Sequence, residues 1–339
     1  MINNSTDLTR MQEDMLDLTR YADKAYLSRE LADVFDNIDA DKARRMRACG
    51  ELLGFAADAE GRMILRRGSF CRIRLCPMCC WRRAVRVYGQ VMAIQDYLGK
   101  EAETMGVKRQ RSILLTLTVR SCPPEQLGAT IDSMMTGWQR LTQRAAVRDV
   151  WRGGCRVMEI TVNRDRKSGS YLMCHPHIHA IATVAPSYWG RAYLSQADYT
   201  RLWQESMRLD YVPVCDVRAI KRDDERGAVA EVAKYTVKPV DYLRVAPGDR
   251  ETIITVLDSA LRHRRLLSLF GSWADGARAL HLPDIEADDG PAGDIADSAD
   301  MVWYAYREGL ARYSRVQGCK AYEGAQTVSP AGDLRRKHW

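Results

Sequence analysis

One stretch of the chain decides its fold, and it reads Tyr171-Leu-Met-Cys-His-Pro-His-Ile-His-Ala-Ile-Ala-Thr-Val184. Three histidines recur there at every second position, with apolar or small residues following. Because successive side chains of a β-strand point to opposite faces of a sheet, this alternation predicts a half-buried strand with imidazoles along one face. Neutral imidazoles at this spacing are good ligands for a divalent metal ion.

The residues just before this stretch predict its partner strand. Residues 155–163 also alternate, and the link 164–170 is rich in turn-forming residues, so the two strands are predicted to form an antiparallel hairpin. A hairpin centred near residue 167 places Glu159 opposite residues 175–177.

The facing side chains predict a metal site. Glu159, His177 and His179 together suit Mn²⁺ or Mg²⁺ and leave coordination positions open for a phosphate. His175 is a further candidate ligand, but Pro176 beside it cannot donate a ladder hydrogen bond and favours a strand edge. The alternatives are a surface hairpin whose histidines bind nothing and a structural Zn²⁺ site.

A second group of polar residues follows in Glu231-Val-Ala-Lys-Tyr-Thr-Val-Lys238, on a helix predicted over residues 227–238 and stopped by Pro239. The spacing predicts that Glu231, Tyr235 and Lys238 share one helix face. A tyrosine can attack a phosphodiester, a glutamate can activate water, and a lysine can neutralise developing charge. The alternative is an ordinary solvated helix face.

Four of the ten cysteines lie close together, at positions 71, 76, 79 and 80. The knuckle Cys76-Pro-Met-Cys79 is typical of a zinc site, and Cys71 and Cys49 complete a closed Cys₄ set with a structural role. Cys80 is an alternative ligand or a spare thiol. A redox pair or unligated thiols remain the other interpretation.

Charge is concentrated in two segments of a chain whose net charge is +7. Residues 61–90 hold eight arginines and no acid, which favours contact with DNA phosphates through Arg72, Arg74, Arg82 and Arg83. The alternative is a solvated basic surface that has no role in DNA binding. Residues 283–300 hold seven acids and no base, which predicts an acidic loop.

The organisation of the chain follows from these changes in composition. We predict a helical N-terminal arm (1–48), a Cys/Arg-rich zinc-binding and DNA-contact segment with a helix (49–105), a domain that carries the histidine and tyrosine motifs (106–240) and a C-terminal helical extension (241–339). Within the extension, helices are expected over residues 251–270 and after Met301. The chain has no run of about 18 apolar residues and no signal-peptide pattern, so a cytoplasmic location without membrane contact is expected.

In these motifs the chain resembles the replication initiators of rolling-circle plasmids, within the HUH endonucleases of the single-tyrosine, glutamate-assisted type. The resemblance spans about residues 49–240. It is carried by Leu114-Leu-Thr-Leu-Thr118, His175-Pro-His-Ile-His179, Glu231-x-x-x-Tyr235-x-x-Lys238, and Cys71-x₄-Cys76-Pro-x-Cys79 with Trp81-Arg-Arg83.

The resemblance implies an α+β fold, with an antiparallel ferredoxin-like sheet and helices on one face. It also implies strand-specific nicking of plasmid origin DNA in a bacterial cytoplasm through a 5′-phosphotyrosyl intermediate, with a host helicase and polymerase as partners. Tyr235 would be the nucleophile, Glu231 the base for termination, and His177 and His179 metal ligands.

Two other functions remain open at this point. A conjugative relaxase or a single-strand transposase would use the same chemistry on another substrate, although a relaxase usually carries its tyrosine near the N-terminus. A non-catalytic zinc-containing DNA-binding regulator would explain the cysteines and arginines but leave Glu231, Tyr235 and the histidines without a role.

Overall fold

A computed structural model describes residues 17–106, 111–221, 224–233, 238–286, 301–316 and 326–327. The chain forms two compact units, one from residues 1–83 with 288–339 and the other from residues 84–287. No helix in the described ranges is long and apolar enough to cross a lipid bilayer.

Ten helices are present in the described part of the chain. In order they are α1 (Thr19–Phe35), α2 (Ala40–Arg47), α3 (Pro77–Thr104), α4 (Leu127–Gln143), α5 (Ala145–Arg148), α6 (Gln196–Met207), α7 (Glu225–Val232), α8 (Pro239–Leu243), α9 (Pro247–Leu261) and α10 (Ser272–Ala279). Short 3₁₀ turns occupy Pro124–Gln126, Pro186–Trp189 and Glu308–Leu310.

The described ranges also contain ten strands. They are β1 (Leu52–Ala57), β2 (Met63–Gly68), β3 (Arg111–Thr118), β4 (Trp151–Val162), β5 (Cys174–Val184), β6 (Cys215–Ala219), β7 (Leu267–Gly271), β8 (Val302–Arg307), β9 (Arg312–Val316) and β10 (Gln326–Thr327). They form two five-stranded sheets, ordered β10-β2-β1-β8-β9 and β6-β3-β5-β4-β7.

The second sheet positions the candidate site, and all its strand pairs are antiparallel. The predicted hairpin is confirmed, because β4 and β5 pair with Glu159 directly opposite His177. On the other side of β5, Thr118 lies opposite His177 and Thr116 opposite His179. The histidine strand is therefore central, with neighbours on both edges.

Helices cover both faces of this sheet, so the α+β prediction is confirmed but the helical layer is fuller than the expected single face. On the histidine face, Leu114 and Ile181 pack with apolar residues of α3, α7 and α10. The side chains of Leu115 and Ile178 alternate to the opposite face and are equally buried, and α4 lies against β5. Burial of each such side chain contributes about 1.5–3 kcal/mol to the stability of the fold, so a second helical layer stabilises the sheet.

Three expected helices differ in the structure. The helix predicted over 227–238 ends at Val232, and Lys238 is extended (φ −72°, ψ 134°), because a residue that precedes proline disfavours the helical region. The helix predicted over 251–270 ends at Leu261, and Leu267–Gly271 pairs with β4 as an edge strand. The tail after Met301 forms the β8–β9 hairpin rather than a helix, in keeping with its Val, Trp and Tyr content.

Candidate metal centre

Glu159, His177 and His179 come together as the hairpin register requires. Glu159 Oε2 lies 3.0 Å from His177 Nε2 and 2.8 Å from His179 Nε2. The three ligand atoms lie within 4.8 Å of one another, and all three side chains are largely buried. Ligand atoms about 2.1 Å from an octahedral ion lie roughly 3 Å from their neighbours, so the spacing fits a hard divalent ion.

The hydrogen bond on the far side of His177 explains why a cation fits between these groups. His177 Nδ1 lies 3.2 Å from the carbonyl oxygen of His175, and a carbonyl oxygen only accepts, so Nδ1 carries the proton. In neutral His177 the lone pair of Nε2 then faces the carboxylate of Glu159. Two acceptors at that distance repel unless a cation or a proton lies between them.

His179 is oriented by a neighbouring strand. Its Nδ1 lies 3.1 Å from Thr116 Oγ1, which can accept that N–H and leave Nε2 for an ion. His175 lies on the same face but is absent from the group of mutually close ligand atoms. Its pKa is lowered, mainly by burial and to a smaller extent by the charge of His177.

Glu159 is held as a carboxylate. Burial alone would raise its pKa, but without an ion, protonated His177 and His179 donate hydrogen bonds to the carboxylate, and these prevail and lower the pKa well below the usual range. Only 3% of the side chain is exposed, and a buried carboxylate is costly unless positive charge compensates it. The site therefore favours a bound cation.

Two residues that follow the histidines along the chain reach this group from another direction. Glu231, near the end of α7, has its Oε1 3.6 Å from His179 Nε2. Lys238 has its Nζ 3.3 Å from Glu159 Oε1 and is 43% exposed. The two flank the carboxylate–imidazole group although one helix does not carry both.

A second set of metal-ligand atoms lies in the other unit, where Cys49, Cys71, Cys76 and Cys79 place their sulfurs within 4.8 Å of one another. The Cys49–Cys79 and Cys71–Cys79 sulfurs are 3.6 Å apart. Zn–S bonds of about 2.3 Å in a tetrahedral site hold the sulfurs roughly 3.8 Å apart. The four buried thiols therefore fit Zn²⁺ and leave no open position.

Thiol chemistry separates these ligands from Cys80. Burial raises the pKa of Cys49 and Cys71, whereas at Cys76 the hydrogen bonds from the neighbouring thiols and Ser28 overcome burial and lower the pKa. Cys80 donates to the carbonyl of Arg74, and burial raises its pKa to about 12. Cys80 is a spare thiol, and every cysteine in the described part is free of disulfides.

Comparisons with known proteins agree with the motifs. A family model described as "Replication protein" matches residues 62–314. The chain belongs to this replication protein family. Similar proteins include a "Protein rep" of Bacillus amyloliquefaciens (35% identical over 271 residues, 73% of this chain and 76% of the relative). A "Protein rep" of Streptococcus pneumoniae is 33% identical over 270 residues, which are 78% of this chain and 80% of the relative.

A "Replication protein" of Staphylococcus aureus is more distant, at 29% identity over 198 residues, or 56% of this chain and 82% of the relative. No solved structure matches the chain. The resemblance to rolling-circle replication initiators that was predicted from the motifs is thereby confirmed at the level of the family.

The tyrosine and the arginines of this replication protein are the residues predicted to act on DNA. Tyr235, the expected nucleophile, lies outside the described residues, between Ala233 and Lys238. Of the arginines expected to contact DNA, Arg82 is buried, and its guanidinium lies 3.4 Å from the centre of the Phe70 ring. That position suits stabilisation of the cysteine segment better than contact with a phosphate; Arg72, Arg74 and Arg83 are half-buried.

Sequence reasoning missed three residues around the replication protein's metal centre. Thr116 supports His179, and its alternation in β3 was the available signal. Asp241 is buried, with its Oδ1 3.6 Å from Arg164 Nε. Burial raises the pKa of Asp241, against the charges of Arg164 and Lys238. Neither Arg164 nor Asp241 stands out in the sequence, because one follows a strand and the other lies in a five-residue helix.

Proposed function

We propose that this replication protein starts rolling-circle replication of a plasmid by nicking one DNA strand at the origin. The observation that carries the proposal is the buried group of Glu159, His177 and His179, flanked by Lys238 and Glu231. Family membership supports a role in plasmid replication. Origin DNA is then the substrate, and a host helicase and polymerase are expected partners.

Each residue has a role in the proposed reaction. Glu159, His177 and His179 would hold the ion, and Mn²⁺ or Mg²⁺ bound there supplies polarisation of the scissile phosphate. The phenolic oxygen of Tyr235 forms a bond to phosphorus as the bond to the 3′-oxygen breaks. The phenol loses a proton and the 3′-oxygen gains one, so the step is a transesterification that leaves a primer end.

Lys238 and Glu231 have separate roles, in neutralising charge on the phosphate and in hydrolysing the phosphotyrosyl bond. The Lys238 ammonium group, which lies beside Glu159, would neutralise charge that develops on phosphate oxygens. Glu231, which lies beside His179, would take a proton from a water molecule that attacks the phosphotyrosyl bond at termination. The Cys₄ set would hold a structural Zn²⁺ and takes no part in this chemistry.

The test uses full-length protein with a supercoiled plasmid that carries its own origin, in the presence of Mn²⁺. We expect open-circular DNA and a covalent protein–DNA adduct that survives denaturing electrophoresis. Both should be lost in Tyr235→Phe and after chelation, and kept in Tyr193→Phe, whose side chain is exposed on another segment.

The outcomes separate the candidate functions. An adduct that persists in Tyr235→Phe overturns the assignment of the nucleophile. Specific origin binding with no nick favours the non-catalytic regulator. Cleavage of a transfer origin or a transposon end, but not of the replication origin, favours the relaxase or the transposase.

A further inference from the structure

The link between β4 and β5 is a built structure. The Asn163 side chain donates to Ser168 and Ser170 and accepts from the Asp165 amide. At the other end of the link, Tyr171 donates its hydroxyl to Asp249, at the start of α9. The residues between are therefore fixed relative to the segment that follows Lys238.

Asp241 is a residue of α8, and α8 lies against β4, the strand that precedes this link. Its side chain is only 9% exposed, and its Oδ1 is 3.6 Å from Arg164 Nε. Within the described residues, Oδ2 has no hydrogen-bond partner. A buried carboxylate in this state needs cations beside it, and Arg164 and Lys238 are the charges that lower its pKa against burial.

Both cations are partly exposed to solvent. The side chains of Arg164 and Lys238 are each 43% exposed, and each is paired with a largely buried carboxylate, Asp241 for the arginine and Glu159 for the lysine. A cation that is held by a buried carboxylate and is still partly exposed is suited to bind a phosphate, and arginine adds a planar fork of donors.

The charge of the cluster agrees with such a ligand. Within the described part of this cluster there are three carboxylates (Glu159, Glu231 and Asp241) and two cations, which is a net charge of about −1 when all are ionised and about +1 when a divalent ion is bound. A phosphodiester is thus attracted more strongly to the loaded site than to the empty one.

We propose that Arg164 and Lys238 form a two-cation clamp for a DNA phosphate beside the metal centre, with Asp241 as the positioning residue that holds Arg164. The inference rests on the proposed nicking function and extends it to a residue outside the recognised motifs. Arg164 would contact a phosphodiester oxygen of single-stranded DNA.

The test measures equilibrium binding of fluorescein-labelled dT20 by anisotropy, with Mn²⁺, at several NaCl concentrations. Loss of one phosphate contact with a single strand lowers the magnitude of the slope of log K against log[salt] by about 0.7. We expect this decrease in Arg164→Gln and none in Arg166→Gln, the matched control, which is an exposed arginine of the same link. Equal slopes in wild type and Arg164→Gln, or equal decreases in both variants, would overturn the clamp.

Asp241→Asn gives the sharper result. Removal of a negative charge near DNA should strengthen binding by simple electrostatics, whereas loss of a positioning residue should weaken it. We expect about threefold or greater weakening, with no further loss when Arg164→Gln is added, since the two act as one unit. Tighter binding, or additive losses, would overturn the positioning role.

Controls separate this inference from the proposed function. Mn²⁺ affinity should not weaken in Arg164→Gln. Asp241→Glu, which keeps the carboxylate, should restore part of the salt slope of dT20 binding relative to Asp241→Asn. If Asp241→Asn does not fold, Arg164→Gln against Arg166→Gln decides alone, because both side chains are exposed. A wild-type protein that forms the adduct while Arg164→Gln keeps its slope refutes only the clamp; absence of the adduct in wild type refutes the nicking function.

Discussion

Lys238 Nζ lies 3.3 Å from Glu159 Oε1, although Lys238 belongs to no helix and Glu159 lies inside a strand. The carboxylate is buried and the lysine is 43% exposed, so the pair connects the candidate metal centre to the solvent-exposed surface. The extended conformation of Lys238, imposed by the proline that follows, makes this approach possible.

Lys238→Gln should lower the nicking rate about 100-fold, the usual cost of removing one group that stabilises transition-state charge. Mn²⁺ affinity should stay the same or rise, because a cation next to Glu159 has been removed. Single-turnover nicking and calorimetric Mn²⁺ titration measure the two quantities. Lys221→Gln, an exposed lysine, is the control. A parallel fall in Mn²⁺ affinity would show that Lys238 maintains the metal site rather than acting on the phosphate.

Glu231→Ala should separate the start of the reaction from its end. Glu231 Oε1 is 3.6 Å from His179 Nε2, within reach of a water molecule beside the site. We expect nicking and adduct formation to persist, while termination fails and replication products run on as multimers. Glu225→Ala, earlier on the same helix, should terminate normally. Should nicking and Mn²⁺ affinity fall together in Glu231→Ala, the residue is a metal ligand and not the terminating base.

The sequence predicts best what depends on strand periodicity. The pairing of Glu159 with His177 follows from the alternation of the two strands and the short link between them. The register is well determined, because a shift of one residue would turn the histidines to the other face of the sheet. The Cys₄ set follows from residue type and knuckle spacing, and in the structure Cys49 lies with Cys71, Cys76 and Cys79.

Contacts between distant segments lie beyond that reasoning. The pairing of Arg164 with Asp241 depends on how α8 lies against β4, which no local pattern encodes. The apolar run at 266–270 is compatible with a helix or a strand, and the free edge of β4 decides for the strand. The segment after Met301 forms β8 because it pairs with β1 as an antiparallel strand.

Loss of zinc should destabilise the protein without touching the Glu159 site. Cys76→Ser removes a ligand whose pKa is already lowered by the neighbouring thiols, so the metal should be lost and the melting temperature should fall by roughly 10 °C. Plasma mass spectrometry counts the zinc, and calorimetry follows melting. Cys80→Ser should keep the zinc, because that thiol donates to the Arg74 carbonyl. Zinc loss in Cys80→Ser but not in Cys76→Ser would reassign the fourth ligand.

Thr116→Val should weaken Mn²⁺ binding about 10-fold although Thr116 touches no ion. Its hydroxyl lies 3.1 Å from His179 Nδ1 and fixes the ring so that Nε2 faces Glu159; loss of such support typically costs 10- to 100-fold in metal affinity. Valine keeps the shape of the side chain, so folding should be preserved. Thr116→Ser should retain most of the affinity, because it keeps the hydroxyl. Ser112→Ala in the same strand breaks a hydroxyl pair with Thr183 and serves as the matched control. If Thr116→Val and Ser112→Ala bind Mn²⁺ equally well, His179 is oriented by packing alone, and the hydrogen bond from β3 has no part in building the site.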